Sequence, residues 1–217
     1  FLGILRERYL GREVGGDATF SSVILAGVHD IKNLKMKIRP GEGPNYNSPW
    51  NISAVFDVDM ELSVSEIASM LREYEADMHT GMDIRQMAQG LQEYTGGYPF
   101  LVSCLCKIMD EKELPWDKIG LHTAVKELLK SNNTLFDDVI KNIQNYQELS
   151  ELAEQIILKG AQVAFEIRNP VIQQGVMYGI LKEQDGKTAV SNVLFETLIV
   201  NYFLSIRSTY ALSSSGY

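Results

Sequence analysis

The chain has 217 residues, of which 45% are hydrophobic and 22% are charged, as in an ordinary soluble globular protein. Its formal net charge of −8 argues against a non-specific binder of nucleic acid or of another polyanion. No apolar run reaches the roughly 20 residues of a membrane-spanning helix, and no signal peptide is visible, so we expect a cytoplasmic protein without membrane contact.

The chain begins inside a predicted helix. Apolar residues at positions 1, 2, 5, 9 and 10 approximate one face of a helix across Phe1–Leu10. No N-cap residue precedes them, and the first residue is not Met. We therefore expect the chain to be a piece of a longer protein. Gly11–Asp17, which contains three glycines, is predicted to be the loop that follows this helix.

The first predicted strand is an apolar run that ends in two polar side chains. Ser22–Val28 has the continuous apolar character of a strand buried on both faces of a parallel sheet. Ligands of such sheets bind beyond the carboxyl ends of the strands, where His29 and Asp30 lie. These two are candidate site residues; the alternative is a strand-end turn bonded to its own backbone. A basic segment follows, with Lys32, Lys35, Lys37 and Arg39.

A loop and a second strand come before a run of helices. Pro40–Pro49 carries strong loop signals, and Ile52–Met60 alternates like a strand near a sheet edge. Ser63 and Glu66 form the sequence pattern of a capping box, which predicts a helix start. Further helices are predicted from Gly81–Asp83, from Pro99 to about Met109, and over 120–130.

Beyond Thr134 the order of elements is that of a winged-helix module. The predicted elements are helices over 135–145 and 148–159, a strand over Val163–Glu166, a helix from Asn169, a hairpin with its turn at Gln184–Lys187, and a last helix from Asn192 to about Ile206. Asp-Gly between two apolar runs is a strong hairpin signal. The tail, 208–217, is predicted to be flexible.

The spacing of the two cysteines predicts neither a disulfide between them nor a metal site. Cys104 and Cys106 are two positions apart, so on a helix they do not face each other. One such pair without a second pair is weak support for zinc, and we interpret both as small buried thiols.

Two motifs in this order resemble those of AAA-like ATPases of the STAND and archaeal-ATPase kind, above all bacterial proteins with an AAA-like domain. One motif is Ser22–Lys35, and the other is Tyr94–Ser103. The resemblance covers about residues 1–205. It implies an α/β fragment of a P-loop NTPase core (1–61), a mostly helical lid (62–131), a winged-helix α+β module (132–207) and a flexible tail (208–217).

The resemblance also implies a function, which is an ATP-dependent switch. ATP and Mg²⁺ would bind between the core and the lid of the full-length protein. His29 or Asp30 would lie near the γ-phosphate, at the position called sensor 1, and Arg39 would contact a phosphate. Gly97, Tyr98 and Pro99 would form the Gly-x-Pro motif of the lid, whose proline packs on adenine. The implied partners are nucleotide and either protein effector domains or further copies of the chain.

The phosphate-binding loop of that family has no counterpart in this sequence, which contains no Gly-x-x-x-x-Gly-Lys-Ser/Thr. In the family, this loop and the acidic strand end that polarises Mg²⁺ precede the segment that matches Phe1. We therefore expect the full-length protein to be an ATPase. We expect this chain alone to be inactive and to have no cofactor of its own. The alternative is a winged-helix module that binds DNA or protein. Its helix Asn169–Tyr178 lacks lysine, which disfavours DNA because phosphate contacts dominate DNA affinity.

Overall fold

The computed structural model describes residues 60–214 and, before them, the single residues Ile4, Glu7, Arg8, Gly11 and Val23. The chain divides into two compact units, Phe1–Val58 and Asp59–Tyr217, and every element named below belongs to the second. The described residues are mostly helical, with eight helices and one two-stranded sheet.

The elements follow one another with short connections. In chain order they are α1 (Val64–Met78), α2 (Ile84–Thr95), α3 (Pro99–Glu111), α4 (Lys118–Lys130), α5 (Thr134–Asn145), α6 (Gln147–Lys159), α7 (Pro170–Met177), β1 (Leu181–Gln184), β2 (Lys187–Val190) and α8 (Val193–Ser214).

Side-chain caps fix where most of these helices begin. The capping box predicted for α1 is confirmed: Ser63 Oγ accepts a hydrogen bond from Glu66 N at 3.3 Å, and Glu66 Oε2 accepts one from Ser63 N at 2.8 Å. Asp83 caps α2 by accepting from Gln86 N, and Asn169 caps α7 by accepting from Val171 N. Each cap satisfies backbone N–H groups that have no partner inside the helix, and contributes about 1 kcal/mol.

One apolar core runs through the described residues from α1 to α8. It includes Ile67 of α1, Leu105 of α3, Leu149 of α6 and Ile199 of α8. α8 packs against α2 and α4 as well as against α5 and α6. The segments predicted as lid and winged helix therefore share their core within one compact unit.

The predicted Asp-Gly hairpin is confirmed. β1 and β2 pair antiparallel, with Gln184 opposite Lys187 next to the turn. The two turn residues, Asp185 and Gly186, have φ values of 51° and 74°. Positive φ at both central residues matches the twist of the two strands, which is why Asp-Gly is favoured here.

The strand predicted over Val163–Glu166 is reduced to a single bridge between Ala164 and Lys187. Phe165 N donates to Gly186 O at 3.0 Å, and the chain then turns away, with Asn169 N donating to Glu166 O at 2.9 Å. The early turn into α7 leaves too few residues for a longer ladder.

The last helix is longer than predicted. α8 continues to Ser214, past the predicted end near Ile206, so that the first residues of the predicted flexible tail, 208–217, are helical. No proline or glycine interrupts this stretch, and Arg207 forms an ion pair with Glu154 of α6. A side-chain anchor beyond the predicted end thus helps to hold the extra turns.

Few of the predictions for the first unit concern residues that the structure describes. Ile4, Glu7, Arg8 and Gly11 have helical backbone. This confirms the first helix at three of its residues, whereas Gly11 was predicted to be in the loop. The predicted first strand would bury Val23 on both faces of a sheet, but Val23 is 46% exposed and not in a strand.

An apolar run does not specify which layers cover it, and this explains the error at Val23. Met60, the predicted last residue of the second strand, is likewise outside any strand. The remaining residues of both predicted strands lie outside the described part of the chain.

Candidate functional site

The predicted site residues divide into two sets. His29, Asp30 and Arg39 lie outside the described residues, as do Lys32, Lys35 and Lys37. The other set, Gly97, Tyr98 and Pro99, lies where α2 ends and α3 begins. We call residues Thr95–Pro99 the Gly-Tyr-Pro loop.

Two consecutive glycines give this loop its shape. Gly96 and Gly97 have φ values of 63° and 82°, in the left-handed region that side chains with a Cβ rarely adopt. Gly96 ends α2, and its N–H donates to Gln92 O at 2.8 Å. Two left-handed residues in succession turn the chain sharply from α2 into α3.

The polar groups of the loop are satisfied by short-range and long-range hydrogen bonds. Thr95 is fully buried; its hydroxyl donates to Leu91 O at 2.6 Å and accepts from Gly97 N at 3.1 Å. Gly97 O accepts from Leu62 N at 2.8 Å. The loop is thereby fixed to the residue that precedes the cap of α1.

Both glycines also lie against neighbouring backbone with no room for a side chain. A Cβ on Gly97 would come within 2.3 Å of Leu62 O, and a Cβ on Gly96 within 2.9 Å of Ser191 O. Ser191 lies between β2 and α8, so the loop contacts the start of α1 on one side and that of α8 on the other. Sequence alone could not have identified these contacts.

The residues after the glycines present an exposed apolar surface. Pro99 is the first residue of α3, where its missing N–H leaves no hydrogen bond unmade. This confirms the predicted helix start. Pro99 is exposed, Tyr98 is 38% exposed and Phe100 is 47% exposed. A rigid backbone therefore carries three adjacent apolar side chains at the surface.

Tyr98 also connects this surface to the core around α8. Its ring lies 6.3 Å from that of Phe195, at 58°, and Phe195 meets Phe136 of α5 edge-on. Asn192, which is buried, caps α8 through a 2.9 Å hydrogen bond to Phe195 N. Displacement of Tyr98 would therefore disturb the contact at the start of α8.

The cysteines have the properties of packing residues. Cys104 and Cys106 are both free and half-buried on α3. Burial raises the pKa of the Cys104 thiol and raises that of Cys106 to about 12. Since the thiolate is the nucleophile, neither side chain is activated at neutral pH.

A tyrosine that the sequence analysis did not single out joins α1 to α3. The Tyr74 hydroxyl donates to the Asp110 carboxylate, and its ring lies 4.8 Å from that of Trp116. The hydrogen bond to Asp110, with burial, raises the pKa of Tyr74 to about 12. The hydroxyl therefore keeps its proton at neutral pH and donates it to the carboxylate, so we interpret this contact as structural.

A groove among the described residues was also missed by the sequence analysis. It has a volume of about 590 Å³ and is lined by α1, α2 and the Ser63 cap, with Arg72 and Arg85 among its side chains. Neither arginine belongs to a sequence motif, and the two are brought together by the packing of α1 on α2. Arginines on the outward face of consecutive amphipathic helices were the one signal present.

No protein-family model, curated protein or solved structure matches the chain. Among the residues that the structure describes, no group of three or more His, Cys, Asp and Glu side chains is arranged to hold a metal ion. Within the same residues, no helix has both the length and the apolar character required to cross a membrane.

Proposed function

We propose that this chain is the C-terminal part of an AAA-like ATPase of the STAND kind, which acts in its full-length form as an ATP-dependent switch. The proposal rests on the resemblance of Ser22–Lys35 and Tyr94–Ser103 to motifs of that family, in the family's order. The observation that carries it furthest is the rigid, exposed apolar surface at Tyr98 and Pro99.

The Gly-Tyr-Pro loop suits the adenine end of ATP. A purine face binds well to a flat apolar surface, and Pro99 offers a ring that cannot rotate away and has no N–H to leave unpaired. The glycines allow close approach of backbone, and the bonds of Gly97 to Leu62 and Thr95 fix the position of the loop in advance. Little ordering entropy is then lost when the base binds.

The phosphate end of the nucleotide would be held by other parts of the full-length protein. We propose that His29 or Asp30 lies near the γ-phosphate, where a polar group senses the phosphate or orients water, and that Arg39 contacts a phosphate. The phosphate-binding loop and the acidic residue for Mg²⁺ would come from residues encoded upstream. When bound, Mg²⁺ would neutralise charge on the phosphates.

The described residues from α5 to α8 support a winged-helix module. Two helices, a bridge, the short helix α7, the β1–β2 hairpin and α8 follow one another in that order. Arg168, at the start of α7, pairs with Glu166 at 3.4 Å, and α7 itself contains no Lys or Arg. This charge pattern favours a role in packing and signal transmission over DNA binding, because phosphate contacts supply most of the affinity for DNA.

The contacts of the loop give the switch a physical route. Gly96 lies against Ser191, and Tyr98 lies against Phe195. A base bound at Pro99 would therefore affect the position of the start of α8 through these contacts. The lid and the winged helix share one core and would therefore move as one body when nucleotide is exchanged.

ATP binding by the full-length protein tests this function. Replacing both residues of the surface (Tyr98→Ala and Pro99→Ala) should weaken ATP binding roughly tenfold or more, since stacking on a base is worth about 1–3 kcal/mol. Ile119→Ala is the matched control, because Ile119 is 74% exposed at the second position of α4. Equilibrium titration with a fluorescent ATP analogue gives the affinities.

Two results would contradict the proposal. One is a full-length protein that contains no phosphate-loop lysine and binds no ATP. The other is an affinity that the double variant and the Ile119→Ala control leave equally unchanged. Measurable ATP turnover by the 217-residue chain alone would contradict the assignment of the phosphate-binding loop to upstream residues.

A further inference from the structure

The groove between α1 and α2 combines an apolar floor with a basic rim. The floor is the buried Ala68 with the half-buried Val64 and Ile84, and the rim is the exposed pair Arg72 and Arg85. Its volume of about 590 Å³ is sufficient for several apolar side chains, and it is open to solvent along one side.

Neither arginine takes part in an ion pair between described residues. Each of the six ion pairs between described residues involves another cation. Three carboxylates near them along the chain bond to backbone N–H groups: Glu66 accepts from Ser63, Glu75 accepts from Gly81 N at 2.7 Å, and Asp83 accepts from Gln86 N at 3.0 Å. In a chain whose net charge is −8, this groove carries two arginines that take part in none of the ion pairs between described residues.

The hydroxyl groups at the same groove are not available to a ligand. Ser63 Oγ bonds to Glu66 Oε2 at 2.6 Å and to Ser65 Oγ at 2.9 Å. A ligand would therefore meet two guanidinium groups beside apolar side chains. The groove fits a ligand that is apolar on one face and acidic at its edges.

We propose that this groove binds an acidic amphipathic helix of a partner protein. Apolar side chains one turn apart on that helix would lie on Val64, Ala68 and Ile84, and flanking Asp or Glu residues would pair with Arg72 and Arg85. The charge complementarity selects an acidic partner and disfavours a basic one. This binding does not depend on the nucleotide function proposed above, because it uses none of the residues of the Gly-Tyr-Pro loop.

Peptide display on the 217-residue chain tests the proposal and requires no candidate partner at the outset. The probe is a displayed library of helical peptides of about 15 residues, the length at which isolated helices become marginally stable. We expect selection to enrich peptides with apolar residues one turn apart and with Asp or Glu beside them. Fluorescence anisotropy of the selected peptides then gives their affinities.

Charge reversal identifies the groove as the binding surface. The double variant Arg72→Glu and Arg85→Glu should weaken binding of the selected peptides by roughly tenfold or more, because it places like charges opposite the peptide. The double variant Arg72→Lys and Arg85→Lys should retain most of the affinity. Arg168→Glu is the control, an exposed arginine in the turn before α7. All of these side chains are exposed, and thermal unfolding of each variant verifies that it is folded.

Four outcomes would overturn the proposal. Selection without enrichment of acidic peptides is one, and equal binding to wild type and to the Glu double variant is another. If ATP or inorganic polyphosphate displaced the selected peptides as fully as the Glu double variant weakens their binding, the groove would be a small-anion site. Self-association that the Glu double variant abolishes, measured by sedimentation, would indicate that a second copy occupies the groove.

Discussion

Gly97 and Gly186 have similar positive φ angles in very different surroundings. Their φ values are 82° and 74°, so each avoids the strain that a Cβ would cause. A Cβ on Gly186 would meet nothing within 4 Å, whereas a Cβ on Gly97 would come within 2.3 Å of Leu62 O. Gly186 is thus required by the turn alone, and Gly97 by the turn and by a tertiary contact.

The difference distinguishes a turn whose shape depends on its own residues from a loop whose shape depends on tertiary contacts. The hairpin turn at Gly186 would adopt its shape in any protein that places Asp-Gly between two strands. The Gly-Tyr-Pro loop has its shape because Leu62, Thr95 and Ser191 surround it. A loop with fixed surroundings can hold Tyr98 and Pro99 at a defined place on the surface, as a binding site for a rigid base requires.

Gly97→Ala is expected to have the largest effect on stability. It adds the strain of a left-handed residue to a clash with backbone that cannot move aside, so we expect the free energy of unfolding to fall by about 2–5 kcal/mol. Urea denaturation of the 217-residue chain measures this change. A loss no larger than that of Gly186→Ala would show that the backbone at Leu62 can shift to relieve the clash.

Gly186→Ala should cost less, about 1–2 kcal/mol, which is the strain of the left-handed conformation without a clash. The same urea denaturation series gives the value. Gly186→Asn is the matched control, since Asn tolerates this conformation better than Ala, and it should recover part of the loss. If Asn were as destabilising as Ala, strain in the turn would not be the cause.

How far the sequence predicts this structure depends on the range of each interaction. Ser63 with Glu66, and Asp185 with Gly186, are neighbours in sequence, and both predictions are confirmed. The Leu62–Gly97 bond and the Arg72–Arg85 groove join distant residues, so no local pattern indicates them. The strand predicted over Val163–Glu166 has suitable residues, but its length depends on where the partner strand lies.

The smallest expected effect concerns the connection between α1 and α2. Glu75 Oε1 accepts from Gly81 N at 2.7 Å and Oε2 from Thr80 N at 3.0 Å, across a turn in which His79 has a φ of 53°. Hydrogen bonding, first of all from the Thr80 hydroxyl, lowers the pKa of Glu75 from its ordinary value of 4.5. The folded state thus favours the ionised carboxylate.

A lowered pKa predicts the direction of the acid dependence. The contribution of Glu75 to stability is fully present above its ordinary pKa of 4.5 and is lost as the pH falls through the lowered value. Glu75→Gln should therefore reduce the slope of stability against pH in that acidic range. Urea midpoints of both proteins between neutral pH and about pH 3 measure the two slopes, and parallel curves would contradict the assignment.

Photolabelling of the full-length protein with azido-ATP tests the central claim most directly. If the adenine binds on Tyr98 and Pro99, the label should be recovered on the peptide that contains Thr95–Phe100, and excess ATP should prevent its attachment. Label recovered only elsewhere in the protein, or attached to this peptide equally well in the presence of excess ATP, would contradict the account.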